Sequence, residues 1–271
     1  MKKEKGMTKS VIILATMVLA QVSAYAVDGQ VLINQSTLNA SGGTYTITSP
    51  GSYKLSGNLQ QKDKDTHVIV IASDNVTIDL NGFSVTGPAD CSSGFPCRNR
   101  GVGFGIAALA DRSNLTIRNG TIQGVGNDAI QLRGDSILIE YMNLRGNGGD
   151  GIYVSRNTPG NSHAILRNNI IQMNNGDAIF TDSGQVTDNV IAGNFGSGVY
   201  VWCVWSPVLP INTVARNTVD RNGGLGLALY GSTSYIGNAL AANNAGGVQV
   251  QGGYNQGQNL CGGAACPGAV I

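Results

Sequence analysis

Apolar residues recur from residue 117 onward at three kinds of position that keep the same spacing. Within each kind the successive intervals are 22, 27, 20, 28 and 21 residues, so three independent columns share one register. The first column is Ile117, Ile139, Leu166, Val186, Val214 and Tyr235, the second is Ile122, Leu144, Ile171, Ile191, Val219 and Leu240, and the third is Ile130, Ile152, Ile179, Val199, Leu227 and Val248. This agreement indicates a structural repeat of about 21 residues.

Each repeat has room for three short strands. After the third-column position the residue two places on is again apolar, as in Leu132, Val154 and Val201, and such alternation is typical of strands with one buried face. The connections are too short to hold a helix. A repeat of this size cannot form a sandwich layer alone, whereas it winds once around an axis and stacks on the next repeat. The pattern therefore predicts an all-β fold, a single-stranded parallel β-helix of roughly eight coils of three short strands.

Asparagine follows the same spacing. One series is Asn147, Asn174, Asn194, Asn222 and Asn243, and a second is Asn169, Asn189, Asn217 and Asn238. Asparagine tolerates left-handed backbone, and stacked amides hydrogen-bond along a column. We therefore expect two asparagine ladders at corners of the helix.

Composition is consistent with this architecture and excludes several classes. The chain has 39 glycines in 271 residues, 12% charged residues and a net charge of +1. Disorder needs high net charge and few apolar residues, but 42% of this chain is hydrophobic. Glycine has no three-residue period, so collagen is excluded, and a pI of 7.6 does not suit a nucleic-acid binder.

The N-terminus predicts secretion. Four lysines precede an apolar run from Val11 to Ala20, and Ala24-Tyr25-Ala26 follows as a cleavage site, so residues 1–26 form a predicted signal peptide. At about ten residues the run is too short for a membrane span of about 20. No later apolar run reaches that length. We therefore expect a protein without a membrane span after cleavage, secreted or at the cell surface or in the periplasm, and monomeric.

The cysteines suit an oxidising compartment. Cys91 and Cys97 bracket one glycine- and proline-containing loop, and Cys261 and Cys266 bracket another, so each pair predicts a local disulfide. Cys203 is left over as a free thiol or the site of an intermolecular bridge. A metal site is the alternative for these cysteines, but no Cys-x2-Cys spacing occurs.

These features divide the chain into four segments and three insertions. After the signal peptide we expect an N-terminal cap and first coil at 27–66, β-helix repeats at 67–254, and a disulfide-bracketed C-terminal cap at 255–271. The long intervals place insertions at 155–162 and 202–210, and a third lies at 88–104. Loops along one wall of a solenoid commonly form its binding face.

Several motifs resemble a known group of proteins. The stretches Asn75-Val-Thr-Ile-Asp-Leu-Asn-Gly and Ser113-Asn-Leu-Thr-Ile-Arg-Asn-Gly, with Gly149-Asp-Gly-Ile later, resemble secreted bacterial right-handed parallel β-helix repeat proteins of the pectate-lyase-like group. The resemblance covers most of residues 30–265 and implies a right-handed helix. It specifies the fold better than the activity, because the group includes lyases, hydrolases, epimerases and members of unknown role.

Aromatic residues concentrate on outward positions of the third strand. The five are Tyr153, Phe180, Tyr200, Trp202 and Tyr230. Flat rings with polar neighbours suit sugar rings, which have apolar faces edged by hydroxyls. These residues are therefore predicted to bind substrate. The alternative is a stacked ladder that only stabilises the sheet.

Acidic residues provide the catalytic candidates. Asp128, Asp150 and Asp177 recur two positions before the third-column residue in consecutive coils. Stacked at ~4.8 Å they repel, which raises the pKa of at least one or attracts a cation such as Ca2+. The alternative is that each carboxylate accepts hydrogen bonds from turn amides. Asp182 and Arg133 are further candidates beside the aromatic positions.

No catalytic motif of the related enzymes occurs in the chain. The Arg-x-Pro-x-x-Arg set of pectate lyases and the Gly-His-Gly set of polygalacturonases are both absent. His163 lies at the end of one insertion and is interpreted as a turn residue. We expect a protein that binds an extended polysaccharide, with lyase or hydrolase cleavage as a further expectation and no cofactor other than the Ca2+ alternative. The competing hypothesis is a non-catalytic extracellular structural or adhesive rod.

Overall fold

The computed structural model describes residues 29–91, 94–157, 162–203 and 212–266. Strands make up 51% of these described residues. In chain order the elements within these residues are β1 (Gln30–Ile33), α1 (Gln35–Ala40), β2 (Tyr45–Ile47), β3 (Gly51–Leu55), β4 (Leu59–Gln60), β5 (Ile69–Ile71), β6 (Val76–Asp79), β7 (Ser84–Thr86), β8 (Ile106–Gln123), β9 (Ile130–Arg145), β10 (Ile152–Ser155), β11 (Ala164–Arg167), β12 (Ile170–Gln172), β13 (Ile179–Thr181), β14 (Gly184–Thr187), β15 (Val190–Ala192), β16 (Val199–Trp202), β17 (Asn212–Ala215), β18 (Thr218–Asp220), β19 (Leu227–Ile236), β20 (Ala239–Ala241), a 3-10 turn (Asn244–Gly246), β21 (Val250–Asn255), β22 (Leu260–Cys261) and β23 (Ala264–Ala265).

The strands wind into a right-handed parallel β-solenoid of about nine turns, which confirms the predicted fold class. Within the coils the strands pair in parallel with strands one turn later, as in β10 with β13 and β13 with β16. The number of turns is about nine rather than roughly eight, because β1 to β4 already stack on β3, β5, β6 and β7. Three faces result, here named the first-, second- and third-strand faces in chain order.

The predicted register is confirmed at all but one position. Ile117 pairs with Ile139, Ile122 with Leu144 and Ile130 with Ile152, and the first two columns continue unbroken to Tyr235 and Leu240. The last residue of the third column was predicted wrongly. Leu227 pairs with Val250 and not with Val248, whose side chain is 63% exposed.

A turn explains this difference of two residues. The 3-10 turn at Asn244–Gly246 lengthens the last repeat. Gln249, which the alternating pattern placed outward, points inward and is buried, and its Oε1 accepts the Nδ2–H of Asn243 at 2.9 Å. The side chain of Gln249 thus ends the asparagine ladder in place of another asparagine.

Both asparagine ladders are present and buried. In each, the Oδ1 of one asparagine accepts the backbone N–H and the Nδ2–H of the asparagine one turn earlier, at 2.8–3.1 Å. The second series continues one residue further, to Asn259. Buried amides need such partners because an unpaired polar group costs about 1–3 kcal/mol. The ladders therefore hold the corners on either side of the second-strand face while apolar residues fill the interior.

The two ends carry different coverings. At the N-terminal end, α1 buries Leu38, and the side-chain amide of Gln35 bonds both the N–H and the carbonyl of Gln60. At the C-terminal end, β22 and β23 form an antiparallel hairpin that contains the Cys261–Cys266 disulfide. The predicted signal peptide at 1–26 and the last five residues of the predicted C-terminal cap lie outside the described residues. Among those that are described, no helix is long and apolar enough to span a membrane.

Candidate functional site

The five predicted aromatic residues form one continuous stack on the third-strand face, here named the aromatic ladder. The strand register aligns Tyr153 with Phe180, Phe180 with Tyr200, and Trp202 with Tyr230. Ring centroids are 4.6 Å apart between Tyr153 and Phe180 and 5.4 Å apart between Phe180 and Tyr200, with interplanar angles of 5° and 15°. Tyr230 continues the stack at 5.5 Å from Tyr200.

The ladder covers most of its own ring faces. Phe180 has a ring stacked on each side, so its edge faces outward rather than its π-face. Trp202 is the most exposed ring of the ladder, at 37%, although it also stacks on Tyr200 at 6.0 Å and 26° and is tilted at 59° to Tyr230. Sugar rings pack on accessible aromatic rings, so Trp202 is the candidate platform of the ladder. The remaining rings are half-buried and offer edges.

Tyrosine hydroxyls add polar groups along the ladder. Burial, and then the neighbouring Tyr230 and Asp177, raise the pKa of Tyr200 above its usual value. The hydroxyl of Tyr200 therefore stays protonated at neutral pH and donates hydrogen bonds. The influence of Asp177 also shows that the acidic column runs beside the aromatic one.

In the turn that precedes Tyr153, the outward positions are polar rather than aromatic. Gln131 pairs with Tyr153, and Arg133 pairs with Ser155. The Oε1 of Gln131 and the Nε of Arg133 are both buried and have no hydrogen-bond partner. Arg133 Nη1 makes a single long contact of 3.4 Å with the carbonyl of Leu109 in the preceding turn. The predicted candidate Arg133 thus lies at the N-terminal end of the ladder.

Asp128, Asp150 and Asp177 also stack, and each accepts a hydrogen bond from the next turn. The Oδ1 of Asp128 accepts the N–H of Asp150, and the Oδ1 of Asp150 accepts the N–H of Asp177, both at 2.7 Å. The N–H of Ser197 donates to Asp177 in the same way. This arrangement, here named the acid ladder, is the turn-amide alternative raised from the sequence.

Glycine makes this bonding sterically feasible. A Cβ placed on Gly176 would lie 2.0 Å from Asp150 Oδ1, and one placed on Gly196 would lie 2.3 Å from Asp177 Oδ1. The Gly-Asp sequence therefore recurs because the carboxylate of the preceding turn occupies the space that a Cβ at the glycine position would need. Ser197 takes the aspartate position in the next turn, and the acid ladder ends there.

Burial and mutual repulsion alter the ionisation of the acid ladder. Burial, followed by the charges of Asp128 and Asp177, raises the pKa of Asp150 to about 8. Burial alone raises the pKa of Asp128 to about 6, and burial also raises that of Asp177. The central carboxyl therefore holds a proton at neutral pH, which relieves the repulsion between stacked acids.

Asp182 has a different position from the one its column suggests. Strand β13 ends at Thr181, and the carboxylate of Asp182 accepts the N–H of Arg156 at 2.8 Å and that of Ser162 at 3.2 Å. These amides flank the insertion predicted at 155–162. Asp182 therefore anchors the two ends of the insertion, and burial raises its pKa.

Two more carboxylates hold the same insertion from earlier turns. Asp135 Oδ1 lies 2.7 Å from Nδ1 of His163, and its Oδ2 lies 3.8 Å from Nη1 of Arg156. Asp111, one turn further back, accepts the N–H of Asn157 at 2.9 Å. Sequence reasoning missed this arrangement, because it requires knowing that the insertion folds toward the N-terminal turns.

The insertion at 88–104 crosses the opposite edge of the third-strand face. Its Cys91–Cys97 disulfide is present as predicted, the N–H of Cys97 donates to Oδ1 of Asn175, and Phe95 packs on Phe195 at 5.4 Å. Between this insertion and the second-strand face lies a groove of about 390 Å³, lined in part by Asp90, Arg145 and Met173.

The remaining predicted features have mixed outcomes. Cys203 is buried and unpaired by any disulfide. The third insertion, at 202–210, lies outside the described residues from 204 onward. Within the described part of the chain, no three histidine, cysteine or acidic side chains are arranged to hold a metal ion.

Comparison with known proteins shows the fold family alone. The chain matches the profile of the family described as "Right handed beta helix region" over residues 46–208 and, in an overlapping match, over 104–260. No curated protein matches the chain.

Proposed function

The chain belongs to the right-handed β-helix family, and from the aromatic ladder on this rod we propose that it binds an extended polysaccharide along its third-strand face. The observation that supports this proposal is a continuous series of five neighbouring rings on an outward face, with Trp202 as its exposed member. A β-helix family includes both carbohydrate-active proteins and structural rods, so the site and not the fold supports the choice.

The dimensions of the site favour a polymer over a single sugar. From the turn of Tyr153 to that of Tyr230 the ladder rises three steps, or roughly 14 Å at ~4.8 Å per step. A ligand that contacts Tyr230 at one end, Trp202 one turn before it and the hydroxyl of Tyr153 at the other end is therefore extended along the helix axis. Between these ends, ring edges and the hydroxyl of Tyr200 supply apolar contact and hydrogen bonds.

Cleavage of the bound polymer is the weaker part of the proposal. Asp150 and Asp177 each accept a backbone N–H of the next turn through Oδ1, and Asp182 accepts two backbone N–H groups of the insertion. All three carboxylates therefore have a structural role. Catalysis by Asp150, Asp177, Asp182 or Arg133 remains a prediction. It is tested by incubating the protein with uronic-acid and neutral polymers and measuring new reducing ends and unsaturated products.

Binding is tested with Trp202→Ala and Tyr230→Ala variants. We expect each variant to lose at least about tenfold in affinity for the glycans that the native protein retains on an array, because the exposed ring of Trp202 or the Tyr230 ring beside it is removed. Tyr254→Ala is the matched control, since Tyr254 is an exposed aromatic outside the ladder. Thermal unfolding of each variant checks that the fold persists. Unchanged retention of the Trp202→Ala protein contradicts the proposal.

A second function is favoured by one observation. Phe180 has rings stacked on both sides, and this mutual coverage stabilises the sheet without any ligand. A non-catalytic structural or adhesive rod then predicts that no glycan is retained and that Phe180→Ala lowers the melting temperature as its main effect. The array result for the native protein decides between the two functions.

A further inference from the structure

Two arginines lie in consecutive turns at the N-terminal end of the aromatic ladder. Arg112 aligns with Gly134, the residue that follows Arg133. Both side chains are half-buried, and the Nε atom of each is buried without a hydrogen-bond partner. Each guanidinium instead makes a long contact with a carbonyl oxygen, from Arg112 Nη1 to Asp111 at 3.3 Å and from Arg133 Nη1 to Leu109 at 3.4 Å.

Neither arginine forms an ion pair with a carboxylate in the part of the chain that the structure describes. Other arginines do, since Arg118 pairs with Asp79, Arg167 with Glu140 and Arg216 with Asp188. Asp135 is the nearest acid in sequence to Arg133, and its two oxygens face His163 and Arg156 instead. Half-buried guanidinium groups without a counter-charge are costly, so these two are suited to an anion from outside the chain.

A polar side chain joins the two arginines to the ladder. Gln131 lies two residues before Arg133 on the same face of the same strand and is aligned with Tyr153, and its Oε1 is a buried acceptor without a partner. Buried polar atoms without partners are rare in native proteins, and here three of them lie in adjoining turns at one end of an aromatic face. The Nε donors of the two arginines and the Oε1 acceptor of Gln131 thus lie at the Tyr153 end of the aromatic ladder.

We propose that Arg112, Arg133 and Gln131 bind the acidic group of an anionic polysaccharide whose chain continues along the aromatic ladder. The acidic group is a carboxylate or a sulfate, because both present paired oxygens to a guanidinium. Gln131 accepts a hydrogen bond from a neighbouring hydroxyl. The inference rests on the proposed function. It adds that the ligand is negatively charged and that its acidic group lies at the N-terminal end of the aromatic ladder.

The test uses one polymer backbone in three forms: dextran, carboxymethyl dextran and dextran sulfate, with cellulose and its carboxymethyl and sulfate derivatives as a second set. The affinity of the protein for each form is measured at low and at physiological salt. We expect the charged forms to bind at least about tenfold more tightly than the neutral form, and this preference to shrink as salt screens the charges.

Variants then locate the effect. Arg112→Gln and Arg133→Gln are each expected to reduce the charged-over-neutral preference about tenfold while leaving binding of the neutral polymer unchanged. Arg145→Gln is the matched control, because Arg145 lies on the second-strand face and bonds Gln123. Whether carboxymethyl or sulfate forms bind more tightly identifies the acidic group. If an arginine variant fails to fold, the salt dependence of the native protein still tests the inference.

The outcomes separate this inference from the proposed function. Equal affinity for charged and neutral forms, no binding of any charged form, or a preference that persists in both arginine variants overturns the anionic subsite. In those cases loss of neutral binding in Trp202→Ala still supports the polysaccharide face. Conversely, a charge preference that depends on the arginines but not on Trp202 supports the anion site and contradicts the role given to the ladder.

Discussion

Replacing Asp150 with asparagine tests the acid ladder directly. Asparagine keeps an Oδ1 that accepts the N–H of Asp177, so the hydrogen bond between turns is retained while the titrating group is removed. The folded protein holds the Asp150 proton until about pH 8, whereas the same group in the unfolded chain ionises near 3.8. Folding therefore takes up a proton between these two values.

The sign of the effect follows from this uptake. Because the pKa of Asp150 is raised in the folded state, its contribution to the free energy of unfolding is fully present below pH 3.8 and is lost as the pH rises toward about 8. From pH 3.8 to pH 7 is about 3 pH units, and each unit is worth about 1.4 kcal/mol. The native protein should thus lose about 4 kcal/mol of stability across this range through the titration of Asp150 beside the charges of Asp128 and Asp177.

The assay is equilibrium guanidinium unfolding, followed by circular dichroism at several pH values between 4 and 7. We expect the Asp150→Asn curve of stability against pH to be flatter than the native curve by about 4 kcal/mol over the range. Asp74→Asn is the matched control, because exposed Asp74 accepts the N–H of Ser113 from the next turn without stacked acids beside it. Parallel curves for the native protein and Asp150→Asn would refute the reasoning.

Three further predictions concern the fold around the site. Asn194→Ala removes the central member of one ladder and leaves the backbone N–H and one side-chain N–H of Asn174 without their acceptor, so a loss of about 2–4 kcal/mol is expected in denaturant unfolding, against little change for exposed Gln185→Ala. Gly176→Ala places a Cβ against the carboxylate of Asp150 and should cost about 1–3 kcal/mol, a loss that a double-mutant cycle with Asp150→Ala shows to be non-additive. The thiol of Cys203 is buried and its pKa is raised by burial, so it should react with a thiol reagent at pH 8 only after unfolding, and rapid labelling of the native protein contradicts its placement.

The sequence predicted the repeat well because stacking imposes one spacing on every inward column. Ile139 and Leu166 had to align once Leu144 and Ile171 did, and the structure confirms both pairs. Val248 was misplaced because the last repeat has no following turn to keep its register, so a local turn decides its length. Periodicity thus predicts the middle of a solenoid better than its ends.

The site was harder to predict than the fold, because its contacts do not follow the repeat. The aromatic columns were visible in the sequence. Whether a ring turns its face or its edge to solvent depends on its side-chain torsion angles, and the spacing of residues along the chain does not determine these angles. Asp182 occupies the Trp202 position by count, yet the insertion that follows Ser155 turns its carboxylate toward loop amides. The repeat pattern therefore predicts the contacts of a side chain least well where the residue lies beside an insertion.

The two ends of the aromatic ladder have opposite chemistry, and this polarity is the strongest physical argument for an extended ligand. Toward the C-terminal end, one turn before the last ring, Trp202 is exposed, and at the N-terminal end Arg133 has a buried donor without a partner. The structure inside the coil satisfies its polar groups closely, as the asparagine and acid ladders show, so unsatisfied atoms at the edge of an aromatic face are not typical of this chain. A ligand that satisfies both ends must lie parallel to the helix axis, across the strands rather than along them.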